Sequence, residues 1–333
     1  MNFLSIFYTM LIRSEIIGFG HYLPNKVLTN DDLSKMVETN DEWIRTRTGI
    51  VSRHIVEDET TSVIAGNAVA NAIKDAGLQP SDVDLLILAS ITPDNTTPST
   101  ATKIAANLGF RAGVPAFDIS AACSGFVYAL TLADNMIRLG QVKTAVVAGA
   151  DCLSKIVDWT DRNTCVLFGD GAGAVVLRAK EGNGTSADTG VLSTCIYSDG
   201  SQYDSLKTNG GPSTTQSSGF VTMNGKEVFK HAVVCLSEAA ETAMKNAGVN
   251  KDEINWLIPH QANIRIVDSV GERLGIPSEK VIVSLDHHGN TSAASIPLAL
   301  SENHISGRLK KGDLIVLTAM GAGFTWGGAV VRL

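Results

Sequence analysis

The chain has 333 residues, of which 44% are hydrophobic and 18% charged, so it can bury a large core as two domains or one doubled domain. Its net charge of −7 argues against a nucleic-acid-binding protein, which needs a basic surface. The five cysteines are odd in number and lack paired Cys-x-x-Cys spacing, which argues against a disulfide framework and a zinc site of that kind. We therefore predict a cytoplasmic protein with no bound metal.

The first residues, MNFLSIFYTM, form an apolar run without the basic segment or the small-residue cleavage site of a signal peptide. The run is also shorter than the roughly 20 apolar residues that a membrane span needs. A first strand is predicted in LIRSEIIGFGHYLP, directly after Met10. Residues 1–9 are therefore predicted to be an N-terminal extension, and no membrane segment is expected.

Cys123 lies in the stretch DISAACSGF (118–126), between the apolar run VPAF and the amphipathic run VYALTLADNMIRLG. This order predicts a strand, a tight turn and a helix, with Cys123 at the start of the helix. Backbone N–H groups at a helix start favour a thiolate, which predicts a lowered thiol pKa and a nucleophile. Free cysteine is also among the most buried residue types, so a core role stands equally on these residues alone.

An internal repeat organises the rest of the chain. The segment AIKDAGLQPSDVDLLILAS (72–90) matches AMKNAGVNKDEINWLIPHQ (243–261) without a gap, each as a helix end, a glycine cap, an acidic turn and a buried strand. Three further pairs follow in the same order: VPAFDISAACSGF with VIVSLDHHGNTSAAS, KTAVVAGA with DLIVLTAM, and GDGAGAVVL with FTWGGAVVRL. Two similar halves, 10–182 and 183–333, are therefore predicted to form an α/β fold with one sheet from each half. The polar, glycine-rich stretch 179–190 is the predicted seam.

Three polar side chains are predicted to converge where equivalent loops of the two halves meet. Cys123 and Asn290 lie in corresponding loops, and His260 follows the repeated strand in PHQAN. Taken singly, His260 is compatible with a hydrogen-bonded core histidine and Asn290 with a turn residue. Their joint position at the ends of repeated strands favours a functional site.

The motifs DISAACSGF, GDGAGA, PHQAN, GNTSAASIP and FTWGGAVVRL together resemble β-ketoacyl-acyl-carrier-protein synthase III, the enzyme that starts bacterial type II fatty acid synthesis. The resemblance runs from Met10 to Leu333 and implies a homodimeric thiolase fold with Cys123, His260 and Asn290 as a catalytic triad. It implies that Cys123 takes the acyl group of a primer acyl-CoA, acetyl or another short chain. It also implies that this acyl group condenses, with loss of CO₂, with the malonyl unit of a malonyl-acyl carrier protein. The backbone N–H groups of Cys123 and Ala322 are the implied oxyanion donors, and acyl-CoA is a substrate, so no cofactor is expected.

The resemblance also implies a coenzyme A site, in which Trp43 and Arg162 hold the adenine between them. The stretch DEWIRTRTGI could equally be core and solvated charge without the family match. The other implied contacts to coenzyme A are Thr39, Arg47, Gly225 and Asn263. The glycine-rich GDGAGA lacks the Lys-Ser/Thr of a P-loop, and we interpret it as structural.

A local cationic patch is predicted because the acyl carrier protein is acidic, whereas this chain is negative overall. The candidates, all on two predicted helices near the site entrance, are Lys226, Lys230, Arg265 and Arg273. Ordinary surface charge is the alternative explanation.

The sequence departs from the family pattern at three positions. Met320 and Ala322 stand in MGAGFTWG, where acetyl-preferring members often have FGGGFTWG, and Phe168 and Met320 are predicted to line the primer pocket. Thr97 stands where a bulky aromatic often closes the pocket of the partner subunit, which predicts room for longer primers. Two other functions stay open: a thiolase-fold acyltransferase with another acceptor, and a binding or redox-sensing protein that uses Cys123 without turnover.

Overall fold

A computed structural model describes residues 11–333, and its strands form two large sheets and two small ones. The predicted extension, residues 1–9, lies outside the described residues. The strands are β1 (Leu11–Tyr22), β2 (Lys26–Thr29), β3 (Ser52–Ile55), β4 (Leu85–Ala89), β5 (Ala116–Ile119), β6 (Thr144–Asp151), β7 (Gly171–Gly182), β8 (Gly190–Ser198), β9 (Leu206–Thr208), β10 (Val221–Met223), β11 (Trp256–Pro259), β12 (Leu314–Gly321) and β13 (Thr325–Arg332). The helices are α1 (Asn30–Leu33), α2 (Asp41–Thr48), α3 (Thr61–Asp75), α4 (Thr100–Leu108), α5 (Gly125–Arg138), α6 (Gly225–Ala247), α7 (Ile264–Leu274), α8 (Leu285–His288) and α9 (Ser295–Ile305).

The two large sheets have the same topology. The first has the strand order β1-β7-β6-β4-β5, in which β7 is antiparallel to both neighbours and β4 is parallel to β5 and β6. The second has the order β8-β13-β12-β11, in which β13 is antiparallel to both neighbours and β11 is parallel to β12. A single parallel bridge between Leu257 and Val281 takes the place of a fifth strand. The predicted α/β fold with one sheet from each half is confirmed, and both sheets are mixed.

The repeated segments occupy equivalent places in the two sheets. Helices α3 and α6 each end before a left-handed glycine, Gly77 with φ 67° and Gly248 with φ 66°. Each glycine leads through a short 3₁₀ turn into β4 or β11. The predicted boundary between residues 182 and 183 coincides with the end of β7, and β8 begins the second sheet at Gly190.

Helices α5 and α9 lie between the two sheets, and the other long helices cover the outer faces. One buried core joins both helices to strands of both sheets, while α3 and α6 pack on the outer sides in two further cores. Close packing needs glycine in β7: a Cβ on Gly173 would lie 2.5 Å from the Leu298 amide nitrogen of α9. The motif GDGAGA therefore lies at a strand–helix contact, as its structural interpretation requires.

None of the helices in residues 11–333 is both long and apolar enough to cross a bilayer.

Candidate active site

Cys123 lies in a sharp turn between β5 and α5. Ala122, just before it, has a left-handed φ of 45°, and a short 3₁₀ turn, Ala122–Ser124, leads into the helix. The Ser124 hydroxyl is 2.8 Å from both the Ala121 carbonyl oxygen and Thr325 Oγ1, which ties the turn to β13. The predicted strand, turn and helix are confirmed, and the turn presents the thiol to a cavity.

His260 directly follows β11 and is 3% exposed. Its Nδ1 lies 2.7 Å from Ser295 Oγ at the first residue of α9. The Gln261 amide N–H also donates to Ser295 Oγ, at 3.4 Å. We therefore assign the serine hydroxyl as acceptor from Gln261 and as donor to His260 Nδ1. This assignment leaves the ring proton on Nε2, where His260 can act as a donor toward a substrate.

Hydrogen bonds fix both the backbone and the side chain of Asn290. Its amide N–H donates to the Leu167 carbonyl at 2.8 Å, and its own carbonyl accepts from Gly169 at 3.1 Å. The Ser292 amide N–H donates to Asn290 Oδ1 at 2.9 Å. Because Oδ1 is engaged in this way, the side-chain Nδ2 is the group that remains free to donate.

One cavity of about 1600 Å³ brings the three predicted catalytic residues together. Cys123, His260 and Asn290 all line it, although they come from three separate parts of the chain. Ser292, next to Asn290, also lines the cavity, and its left-handed φ of 52° matches that of Ala122 in the other half. The predicted convergence of equivalent loops is therefore present in the structure.

Burial makes Cys123 and His260 neutral at pH 7. Burial raises the pKa of the Cys123 thiol to about 12, with the nearby Ser292 side chain opposing it in part. Burial lowers the pKa of His260 to about 4. The predicted lowering of the thiol pKa is therefore wrong: removing a thiolate from water outweighs the stabilisation that a helix start gives it.

The backbone segments that carry the two predicted oxyanion donors lie against each other. A Cβ on Gly321 would lie 2.5 Å from the Cys123 amide nitrogen, so the backbone at the end of β12 lies directly against that amide. Ala322 follows Gly321 and lines the same cavity. Among residues 11–333, the non-glycine residues with left-handed φ are Ala122, Gln216 and Ser292, so Ala322 takes an ordinary conformation at the place of the family's glycine.

Four of the six predicted coenzyme A contacts line the cavity, and two do not. Trp43, Arg47, Gly225 and Asn263 are lining residues, whereas Thr39 and Arg162 lie outside. Asn263 begins α7 and donates from Nδ2 to the Arg47 carbonyl at 3.0 Å, which joins α2 to α7 at the entrance.

Trp43 contacts both neighbouring arginines in this structure. The guanidinium carbon is 4.5 Å from the ring centre for Arg47 and 5.2 Å for Arg162. An adenine between Trp43 and Arg162 needs about 7 Å, twice an optimal contact distance. The implied sandwich therefore requires Arg162 to move outward by about 2 Å relative to its observed 5.2 Å.

The predicted primer-pocket residues divide in the same way. Phe168 and Met320 are buried and line the cavity beside the triad, and Phe168 bridges to Asn290. Thr97 is exposed in the loop between β4 and α4 and does not line the cavity of its own chain.

The predicted cationic patch lies partly at the cavity entrance. Lys226 and Arg265 line the cavity, and Arg265 lies 5.7 Å from the centre of the Phe229 ring. Lys230 is exposed one turn beyond Lys226 on α6. Arg273 is exposed near the far end of α7 and does not line the cavity.

Three supporting residues were not predicted. Ser295 orients His260, and Gly321, which has no side chain, lets the end of β12 lie against the Cys123 amide. Asp151 is fully buried at the end of β6. Asp151 accepts from the Ser90 hydroxyl at 3.0 Å and the Ile91 amide at 2.8 Å, and burial raises its pKa to about 6. Ser295 and Gly321 belong to quoted motifs and could have been singled out, whereas Asp151 stands in no motif.

Comparison with known proteins gives the family. Residues 117–200 match the family 3-Oxoacyl-[acyl-carrier-protein (ACP)] synthase III, and residues 244–333 match the C-terminal family of the same enzymes. The chain is 57% identical to β-ketoacyl-[acyl-carrier-protein] synthase III of Rhodospirillum centenum, over 97% of this chain and 100% of that protein. The chain belongs to the 3-oxoacyl-[acyl-carrier-protein] synthase III family. The resemblance inferred from the motifs is thereby confirmed.

Solved structures of this family agree with the fold. The 3-oxoacyl-[acyl-carrier-protein] synthase III of Aquifex aeolicus has a TM-score of 0.90 at 49% identity, covering 96% of this chain and 100% of that chain. The 3-oxoacyl-(acyl carrier protein) synthase III of Pseudomonas aeruginosa has a TM-score of 0.90 at 40% identity, covering 96% and 98%. The predicted thiolase fold is confirmed.

Proposed function

We propose that this protein is the initiating condensing enzyme of fatty acid synthesis, which joins an acyl-CoA primer to malonyl-acyl carrier protein with loss of CO₂. As a member of the 3-oxoacyl-[acyl-carrier-protein] synthase III family, it is an acyltransferase. The observation that carries the proposal is the single cavity in which a thiol and two neutral hydrogen-bond donors meet. A nucleophile and two donors are the groups that acyl transfer and enolate formation need.

The first half-reaction transfers the acyl group to Cys123. The sulfur attacks the thioester carbonyl carbon of acyl-CoA, the bond to the coenzyme A sulfur breaks, and the thiol proton leaves with coenzyme A. The negative oxygen that forms in between is stabilised by the N–H groups of Cys123 and Ala322, a role supported by the close approach of Gly321, the residue before Ala322, to the Cys123 amide. Since His260 is neutral with a pKa of about 4, it is a weak acceptor for the thiol proton.

The second half-reaction forms the carbon–carbon bond. Loss of CO₂ from the malonyl thioester leaves an enolate, whose oxygen accepts hydrogen bonds from His260 Nε2 and Asn290 Nδ2. The enolate carbon attacks the acyl carbonyl, the bond to the Cys123 sulfur breaks, and the β-ketoacyl-carrier protein leaves. The released Cys123 thiolate takes up a proton from solvent, which restores the neutral thiol. No strong base is required, because decarboxylation itself produces the nucleophile. Two neutral donors therefore suit this step.

We propose a homodimer in the cytoplasm in which Thr97 of one subunit closes the primer pocket of the other. Exposure of Thr97 at a loop outside its own cavity supports a contact with another chain. A small residue at that place would leave space for primers longer than acetyl, each added buried methylene contributing up to about 0.8 kcal/mol.

The deciding experiment is a condensation assay with malonyl-carrier protein and acetyl-, butyryl- and octanoyl-CoA, run on the wild type and on Thr97→Phe. We expect carrier-protein-dependent product and a shift of kcat/KM toward acetyl-CoA in the variant. Condensation that proceeds equally with malonyl-CoA alone would instead identify an acyltransferase with another acceptor. Absence of any burst of free coenzyme A on mixing with acyl-CoA would identify a binding protein. Unchanged kcat/KM ratios in Thr97→Phe would remove Thr97 from the pocket without affecting the reaction type.

A further inference from the structure

A group of metal-ligating side chains lies outside the cavity, where α8 meets α9. It consists of His287, His288 and Glu302, each of which offers one donor atom within 4.8 Å of the other two. Glu302 Oε1 is 2.9 Å from His288 Nε2 and 3.6 Å from His287 Nε2. The reaction proposed above uses none of these three residues.

The buried ring of His288 is an independent observation that points to a ligand. Its side chain is 2% exposed, and its Nε2 has no hydrogen-bond partner among residues 11–333. Glu302 Oε1 is close enough but lies off the direction in which the ring nitrogen would donate. A buried nitrogen left unpaired costs free energy, whereas an ion beside the carboxylate could accept its lone pair.

His287 is oriented by a carboxylate behind it. Its Nδ1 is 2.8 Å from Asp286 Oδ1, so the ring donates there and directs its Nε2 toward Glu302. In metal sites, a ligating histidine is commonly fixed by such a hydrogen bond from its other nitrogen to a carboxylate. The alternative is a histidinium that forms ion pairs with Asp286 and Glu302.

We propose that His287 Nε2, His288 Nε2 and a Glu302 oxygen form a binding site for Zn²⁺. In a tetrahedral zinc site with bonds of about 2.0–2.1 Å, neighbouring donors lie about 3.3 Å apart. The observed separations of 2.9 Å and 3.6 Å fall on either side of that value. The side chains of His287 and Glu302 are 49% and 24% exposed, so an ion can enter from solvent and keep a water as its fourth ligand.

This site revises the expectation of a protein without metal, which considered cysteine spacing alone. The bound ion would join the end of α8, two residues before Asn290, to α9, whose first residue Ser295 holds His260. The site itself stands on its own residues and does not depend on the proposed reaction.

The test uses the full chain, freed of metal by dialysis against a chelator. Zinc binding is measured by competition with a chromophoric chelator, and Co²⁺ titration gives a visible spectrum that reports the ligand set. We expect one equivalent of Zn²⁺, and affinity at least about tenfold weaker in His287→Gln and Glu302→Gln. The matched control is His304→Gln, also on α9, because His304 pairs with Asp75 at 3.5 Å and is outside the cluster. Far-ultraviolet circular dichroism checks that each variant is folded.

Two results would overturn the proposal. If the wild type binds no zinc, or if all variants bind it equally, the three residues form an ion-pair cluster and no metal site. If binding is lost in Cys123→Ser and the cobalt spectrum shows sulfur-to-metal charge transfer, the metal is held by the thiol in the cavity. Loss in His287→Gln and Glu302→Gln with retention in Cys123→Ser and His304→Gln is the supporting pattern.

Discussion

At the scale of single residues, burial determines the protonation of the nucleophile. The Cys123 thiol has a pKa of about 12 and His260 a pKa of about 4, so neither group is charged at pH 7. A thiolate–imidazolium pair would need both shifts in the opposite direction. Cys123, His260 and Asn290 are therefore all neutral and are arranged to stabilise charge that develops on a substrate oxygen.

The first prediction concerns the pH dependence of Cys123. Because only the thiolate reacts and its pKa is about 12, we expect the alkylation rate constant to rise about tenfold per pH unit between pH 6 and pH 9, without a plateau. The measurement is the rate of carboxamidomethylation of Cys123 by iodoacetamide, followed by mass spectrometry. Cys123→Ser gives the background of the other cysteines. A plateau below pH 8 would show that the thiol is activated in the free protein.

The second prediction separates the two half-reactions. We expect His260→Ala and Asn290→Ala to lose about a hundredfold or more in malonyl decarboxylation, because each removes a donor to the enolate oxygen. Self-acylation from radiolabelled acyl-CoA should persist within about tenfold, since its oxyanion is served by backbone N–H groups. Ser295→Ala should weaken decarboxylation by only about fivefold, the equivalent of one hydrogen bond.

Cys123→Ser provides the reference for a complete loss of acylation. If His260→Ala loses acylation as severely as Cys123→Ser, then His260 acts chiefly as the base for the thiol, and the assignment of separate roles is wrong.

At the scale of elements, the contact between β7 and α9 positions the site. A Cβ on Gly173 would meet the Leu298 amide nitrogen at 2.5 Å and the Pro297 carbonyl carbon at 2.6 Å, both of them backbone atoms. Helix α9 begins at Ser295, whose hydroxyl contacts His260. The contact between β7 and α9 therefore determines how far Ser295 lies from the sheet. The close approach of strand and helix is therefore part of the support of the active site.

The third prediction tests that contact. We expect Gly173→Ala to lower the free energy of unfolding by about 1–3 kcal/mol, because the added methyl group overpacks a backbone contact. The control is Gly66→Ala in α3, where a Cβ would meet nothing within 4 Å, and which should stabilise by about 0.5–1 kcal/mol through helix propensity. Urea unfolding of both variants is the measurement. Equal stability of the two variants would show that α9 can shift without cost.

At the scale of the whole molecule, the sequence predicts the architecture well because each copy of the repeat is a short, continuous segment. The segments 72–90 and 243–261 each contain a complete helix end, turn and strand, so their likeness alone implies equivalent sheets. The motifs likewise predict that Cys123, His260 and Asn290 converge, since each lies in a repeated segment, and all three line one cavity.

Features that depend on burial or on distant pairing could not be predicted. The thiol pKa was predicted in the wrong direction because the desolvation of Cys123 follows from three segments closing around it. The proximity of His288 and Glu302, 2.9 Å apart, brings together residues 14 positions apart that share no motif. Arg265 and Arg273 carry the same charge and lie on the same helix. Only the fold shows that Arg265 lines the cavity and Arg273 does not.

The last prediction concerns the positive side chains at the cavity entrance, which stand out on a chain whose net charge is −7. Lys230 is exposed on α6 beside the entrance, and Arg273 is exposed on α7 away from it. If an acidic carrier protein docks at the entrance, Lys230→Glu should raise KM for malonyl-carrier protein about fivefold or more, the equivalent of about 1 kcal/mol. Arg273→Glu changes the net charge equally and should alter KM by less than about twofold. Arg273 lies eight residues beyond Arg265 on α7, about 12 Å along the helix, and a charge beyond a Debye length is screened. Self-acylation by acyl-CoA should be unchanged in both variants, since it needs no carrier protein. An equal rise of KM in both variants would mean that net charge, and not a local docking surface, governs the encounter.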